Sequence, residues 1–232
     1  MKRFYKKASV EQKDQHFIVL LDGKAIKTPA KSFCHMPTRK MAKAVVKEWN
    51  DQGEEVIPNS MPITKLMNTA IDRVENRREE LIDELVRYAG SDQICYRAEH
   101  PTELVSLQDK IWNPLLQWVN ETLAIDLKIS RGVIFVEQDK ESLKKIKEVL
   151  ERLDSFALTA LHGMITVTGS VSIGYALYCD HLSIEQAWNA GHLDENFQVS
   201  QWGNDAEAEE RRKNLRLELT NSYDFLQLSM PD

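Results

Sequence analysis

Near the start of the chain the apolar run Phe17-Ile18-Val19-Leu20-Leu21 meets Asp22-Gly23 and then Lys24-Ala25-Ile26-Lys27-Thr28. Two β-prone runs flanking Asp-Gly predict a hairpin, because both turn residues must tolerate positive φ. Pro29 lacks a donor and ends the second strand. From Thr38 the period lengthens. Met41, Ala42, Val45, Val46 and Trp49 recur at helical spacing, with Thr38 as N-cap and Gly53 as the stop. Residues 54–58 read as short and extended. Pro62 sits in the first turn of a second helix, whose face continues through Leu66, Ala70, Val74 and Arg77.

Beyond Arg78 helical spacing dominates. Leu81, Leu85 and Tyr88 repeat until Gly90, and a second stretch covers residues 104–123. Asn113-Pro114 interrupts that stretch, which predicts a kink or two helices. Val133-Ile134-Phe135-Val136 reads as a short strand or as a buried extended loop. Residues 142–153 form a helix with Leu143, Ile146, Leu150 and Leu153 inward. Ser183 and Gln186 fit a capping box closed by Gly191; Asp194 caps the next helix, which Gly203 ends; Asp205 caps a last one through Leu219. The pattern defines an α+β chain: a small β-rich N-terminal domain with a hairpin, residues 1–75, then a larger all-helical orthogonal bundle, residues 76–232.

Residues 156–179 hold no Asp, Glu, Lys or Arg and are long enough to span a bilayer. His162, several hydroxyls and the acidic flanks Asp154 and Asp180 favour a central buried helix instead, and Gly163, Gly169 and Gly174 would let neighbours approach closely.

Charge and composition narrow the function. The chain of 232 residues carries 30 Lys and Arg against 36 Asp and Glu, a net charge of −6. Non-specific nucleic-acid binding, which needs a basic surface to release phosphate counterions, is excluded. With 42% hydrophobic and 28% charged residues the chain is globular rather than disordered. Cys34, Cys95 and Cys179 are scattered and odd in number, which fits a reducing compartment. The N-terminus is basic but runs into polar residues with no apolar core of a secretory signal.

Candidate chemistry is sparse. Gly169-Ser170-Val171-Ser172-Ile173-Gly174 lacks the Lys-Ser/Thr of a phosphate loop and the first glycine of a nucleophile elbow. It reads as packing surface, and a hydrolase using Ser170 or Ser172 is the competing class. The six histidines share no metal-binding spacing, so neither metal nor cofactor is expected. In residues 192–212, Phe197 and Trp202 stand among Asp194, Glu195, Asp205 and Glu207. These residues serve either helix capping and charge pairing or an acidic, aromatic recognition surface.

Collinear short matches run nearly end to end. They are Arg3-Phe4-Tyr5, Leu21-Asp22-Gly23, Thr28-Pro29, Glu48-Trp49, Gln52, Met61-Pro62 and Thr69-Ala70-Ile71-Asp72 in the first third. Tyr88, Asp92, Cys95-Tyr96-Arg97, Gln108, Trp112, Pro114, Gly169-Ser170, Leu193-Asp194-Glu195, Gln198 and Trp202-Gly203 follow. Together they resemble the ATP synthase mitochondrial assembly factor 2 family and its alphaproteobacterial members. The resemblance implies a non-enzymatic chaperone that binds the free alpha subunit of F-type ATP synthase, prevents its aggregation and hands it to beta. It also implies a β-rich N-terminal domain and a helical C-terminal one, and an important acidic residue in the C-terminal part. Glu195 is the first match for that acid, with Asp205 and Glu207 as further candidates; Trp49, in the Glu-Trp match, is either functionally sensitive or purely structural. The expected protein is monomeric, is not inserted in a membrane, and is bacterial and cytoplasmic, its eukaryotic relatives residing in the mitochondrial matrix. On this reading Glu195→Lys weakens capture of alpha and leaves the fold intact.

Overall fold

The computed structural model describes residues 1–203 and 205–231. The chain forms two compact units. One comprises Met1–Arg78, Asp154–Ala160 and Asp224–Asp232; the other comprises Glu79–Leu153 and Leu161–Tyr223.

In the first unit, β1 (Ala8–Lys13) pairs antiparallel with β2 (His16–Leu21), which also pairs with β3 (Lys24–Ala25) and β4 (His35–Met36). The expected hairpin is β2–β3, with Asp22 at φ 48° and Gly23 at φ 82°. β1 has no apolar alternation because its outer half is exposed, so its pattern carried no strand signal. Helix α1 (Arg39–Asn50) starts where Thr38 Oγ1 accepts the Met41 N–H at 3.1 Å, and it buries Met41, Ala42 and Val45.

Helix α2 (Pro62–Thr69) begins at Met61, which has no capping oxygen. Glu48 of α1 supplies one. Its carboxylate accepts the Ile63 N–H at 2.7 Å and, at 2.8 and 2.6 Å, the N–H and hydroxyl of Thr64. Burial raises the Glu48 carboxyl above its ordinary range, and these donors pull it back. A π-helical turn, Ala70–Val74, extends α2. The inward stripe is Ile63, Met67, Ala70, Ile71 and Val74, so the expected Ala70 and Val74 face inward, while Leu66 is half-buried and Arg77, past the wide turn, is exposed.

In the second unit, α3 (Arg78–Gly90) turns Ile82, Leu85 and Ala89 inward, not the expected Leu81 and Tyr88. A two-residue parallel pair, β5 (Tyr96–Arg97) with β6 (Ser130–Arg131), accompanies the helices. Helix α4 (Thr102–Leu123) runs through Pro114 as one element. Pro114 lies on an exposed face, where water can satisfy the carbonyl that loses its partner. Helix α5 (Lys140–Glu151) is capped by Asp139 and buries Ser142, Ile146 and Leu150.

The uncharged stretch breaks into α6 (Ser155–Thr168) and α7 (Val171–Tyr178) at Gly169, φ 67°. Among the described residues no helix is long and apolar enough to cross a membrane. A Cβ on Gly174 would lie 2.5 Å from Ile165 Cγ1, so the small residues serve close helix approach. Helix α8 (Ile184–Gly191) has the expected Ser183–Gln186 capping box. Helix α9 (Leu193–Trp202) is preceded by His192, so Asp194 stands in the first turn and is not the cap. Asp205 Oδ1 accepts the Ala208 N–H at 2.8 Å and starts α10 (Ala206–Ser229), which runs well past Leu219.

Asp92 ties this unit together. It is wholly buried, and its carboxylate accepts the Ser172 N–H at 2.9 Å, the Ser172 hydroxyl at 2.8 Å and the Ile94 N–H at 3.2 Å. Burial raises its carboxyl above the ordinary range, against the pull of these donors. Asp92→Asn sets an amide N–H₂ against donors and is expected to cost about 2 kcal/mol; Glu48→Gln is expected to cost about 1 kcal/mol. Urea-unfolding midpoints of the two variants check both values.

Candidate functional site

The C-terminal corner of the second unit is organised by arginines. Arg212 Nη1 lies 2.8 Å from Glu195 Oε2, Arg211 bonds the other carboxylate oxygen, and Arg212 also donates to Asn196 Oδ1. The Arg212 guanidinium stacks over Trp188 at 5.5 Å, and His192 lies on the same indole at 3.7 Å. Arg216 pairs with Glu185. These bonds brace α8, α9 and α10 against one another.

The sequence candidates therefore divide. Glu195 is consumed as an internal clamp, its side chain 27% exposed. Asp194 accepts from Gln108 Nε2 at 2.8 Å. Trp202 is 79% exposed, and Asp205 and Glu207 are exposed beside it in sequence. Gly203, at φ 82°, ends α9, and the Asp205 carboxylate, though exposed, also caps α10.

Trp49 belongs to the first unit. Its ring meets Tyr5 edge-on at 5.4 Å, the Tyr5 hydroxyl donates to the Trp49 carbonyl, and the buried Trp49 Nε1 has no hydrogen-bond partner. Trp49 lines a cleft of about 430 Å³ with Phe4, Tyr5, Leu21, Lys24 and Lys27.

Ser170 and Ser172 are 0% and 1% exposed. The first accepts the Ile173 N–H as cap of α7 and the second donates to Asp92, so the geometry gives the hydrolase reading no support. Among the described residues no group of three or more His, Cys, Asp and Glu is placed to hold a metal.

Two features escaped the sequence reading. Arg97 has a fully buried side chain over Trp112 at 4.9 Å; its Nη1 donates to the Gln108 carbonyl at 2.9 Å, while Nε and Nη2 have no partner. Only the apolar context around Tyr96-Arg97 hinted at such burial. Val133, Ile134 and Phe135 are 103%, 72% and 68% exposed, so this run is neither a strand nor a buried loop. A short apolar run has no period from which inside and outside can be told.

The likeness to known proteins defines the class first: an assembly chaperone. The chain belongs to the ATP12 chaperone protein family, which residues 2–120 match. It is 25% identical over 221 residues to the mitochondrial protein atp12 of Schizosaccharomyces pombe, covering 90% of this chain and 76% of that one. The crystal structure of Atp12 from Paracoccus denitrificans superposes with a TM-score of 0.95 at 34% identity, covering 99% of this chain and 98% of that one. A solved Agrobacterium tumefaciens protein gives 0.92 at 37% identity, covering 97% and 85%.

Burial lowers the His192 imidazole below its ordinary pKa of 6.5, so the folded state keeps it neutral where the unfolded chain protonates. Stability is expected to fall as pH drops below about 6.5, and less so in His192→Gln; thermal melts between pH 7.5 and 5 test this. Glu195→Lys sets a third cation against Arg211 and Arg212. It is expected to cost about 1 kcal/mol, a fall of about 2–4 °C in Tm. Charge reversal at Glu195 therefore perturbs the fold as well as any contact.

Proposed function

We propose that this protein binds the unassembled alpha subunit of F-type ATP synthase, keeps it from aggregating and hands it to beta. The observation that carries the reading is the whole-chain likeness to Atp12, in both sequence and fold. An alpha chain without its partner exposes the apolar surface that it later buries, and such surface drives association. A chaperone that covers it lowers the free concentration of the sticky state by mass action.

The exposed corner of Trp202, Asp205 and Glu207 suits this work. An aromatic anchor supplies contact energy, and nearby carboxylates steer the encounter and leave the interface polar enough to release. Trp49 and its cleft are a second contact candidate, with Glu195 and Asp194 holding the corner in shape. The protein acts as a monomer and makes or breaks no covalent bond in its client. It works in the bacterial cytoplasm, where Cys34, Cys95 and Cys179 remain free thiols.

Purified protein is expected to suppress light scattering by refolding alpha at near-stoichiometric ratio and to co-elute with it. Trp202→Ala is expected to weaken capture by about tenfold or more without lowering Tm. Unchanged aggregation of alpha in the presence of the wild-type protein overturns the reading.

A further inference from the structure

Residues 125–129 lie outside helix and strand, with Ile129 46% and Leu127 4% exposed, and alternate positions among them are satisfied by side chains. The Asp126 N–H donates to Ser142 Oγ at 3.1 Å, the Lys128 N–H donates to Gln138 Oε1 at 2.8 Å, and the Lys128 carbonyl accepts from Gln138 Nε2 at 2.9 Å. Among the described residues, the main-chain groups of Leu127 and Ile129 have no hydrogen-bond partner. Main-chain donors left unpaired beside a sheet are a template for another strand.

A groove of about 520 Å³ lies along this segment and α4, lined by Leu116, Asn120, Glu121, Asp126, Leu127 and Ile129 among others. The buried Asn120 Oδ1 has no partner. The lining brings the two carboxylates of Glu121 and Asp126 and no basic side chain, so its unmet needs are for hydrogen-bond donors and positive charge.

The exposed run Val133-Ile134-Phe135 follows in the same loop, which is held firmly at its base. Ser130 Oγ donates to the Ile134 carbonyl at 2.6 Å, the Gly132 N–H donates to the Arg97 carbonyl at 2.9 Å, and Arg131 grips Asp109 at 2.9 and 3.0 Å. Anchoring lowers the ordering entropy that binding would otherwise cost.

We propose that this groove receives an extended, mainly apolar strand of the client carrying a lysine or arginine, paired edge-on with Leu127 and Ile129. Strand addition draws affinity from main-chain hydrogen bonds and specificity from flanking side chains. Here Leu116, Ile125 and Leu127 supply apolar contact area, while Glu121 and Asp126 select the positive charge. The proposal rests on the client-binding reading above and names the chemistry of the captured segment.

The test uses the full chain and two synthetic strand peptides of alternating Val and Thr, one with a central Arg and one with a central Asp. The Arg peptide is expected to shift the NMR amide signals of Leu127 and Ile129 and to bind about tenfold tighter than the Asp peptide. Ile129→Pro removes one donor and is expected to lose about tenfold in peptide affinity and in alpha capture, while Ile129→Val keeps both. The exposed double variant Glu121→Lys with Asp126→Lys is expected to reverse the peptide preference, which covers the case of a misfolded proline variant. Equal binding of the two peptides, or silent Leu127 and Ile129 amides, overturns the proposal. Full alpha capture by a folded Ile129→Pro protein overturns the groove as the client site and leaves the client reading standing. Failure of the wild-type chain to capture alpha fails that reading instead, whatever the peptides do.

Discussion

Buried carboxylates that brace the starts of helices remote in sequence are the constraint on which this fold depends. Glu48 closes the N-terminus of α2, and Asp92 closes that of α7. A buried charge is tolerable only where donors replace its lost water, and the first turn of a helix offers unpaired N–H groups and the positive end of a dipole. Each carboxylate satisfies the helix and is satisfied by it, so losing either leaves buried groups of the other without a partner. Asp72 does the same for a loop, accepting the Thr28 hydroxyl and the Ala30 N–H, and Asp22 accepts the N–H groups of Lys6 and Lys7.

This explains where the residues that carry the family resemblance lie. Asp22, Thr28, Glu48, Gln52, Asp72, Asp92, Arg97, Gln108, Trp112 and Asp194 are engaged inside their own unit by hydrogen bonds. They identify the fold because they hold it. Other residues of the resemblance stay accessible, since Trp202 is exposed and Trp49 lines a cleft; with the edge at residues 127–129 and the apolar run after Gly132 these are the surfaces proposed for a partner. A chaperone needs this division, since its own polar groups must be satisfied before it can offer surface to a client that is not.

The hairpin, the caps at Thr38, Ser183 and Asp205, and most helices of the second unit were legible because each is written in adjacent residues, whereas the single central helix expected over residues 156–179 is two and the stretch around Pro114 is one. Turn chemistry, capping oxygens and helical period act within one or two turns of chain. Helix faces were less secure: Ala70, Val74 and Leu85 face inward as expected, but Met67 is buried in place of Leu66, and Ile82 and Ala89 in place of Leu81 and Tyr88. A period is read from several apolar residues on a narrow arc, and the packing partner chooses among them.

The candidate site was legible in its members but not in their roles. Glu195 and Trp202 stand a short distance apart in sequence, and the pattern treats both as parts of one acidic, aromatic surface. Arginines that arrive from α10 turn Glu195 into an internal clamp and leave Trp202 outside. Val133, Ile134 and Phe135 carry no mark of exposure, because hydrophobicity says what a residue prefers and not whether the fold has room for it. Local order along the chain is encoded by neighbours and can be read from them. Which charges are neutralised, which strand edge stays open and which apolar residues remain outside depend on contacts between distant segments, and those exist only after the chain has packed.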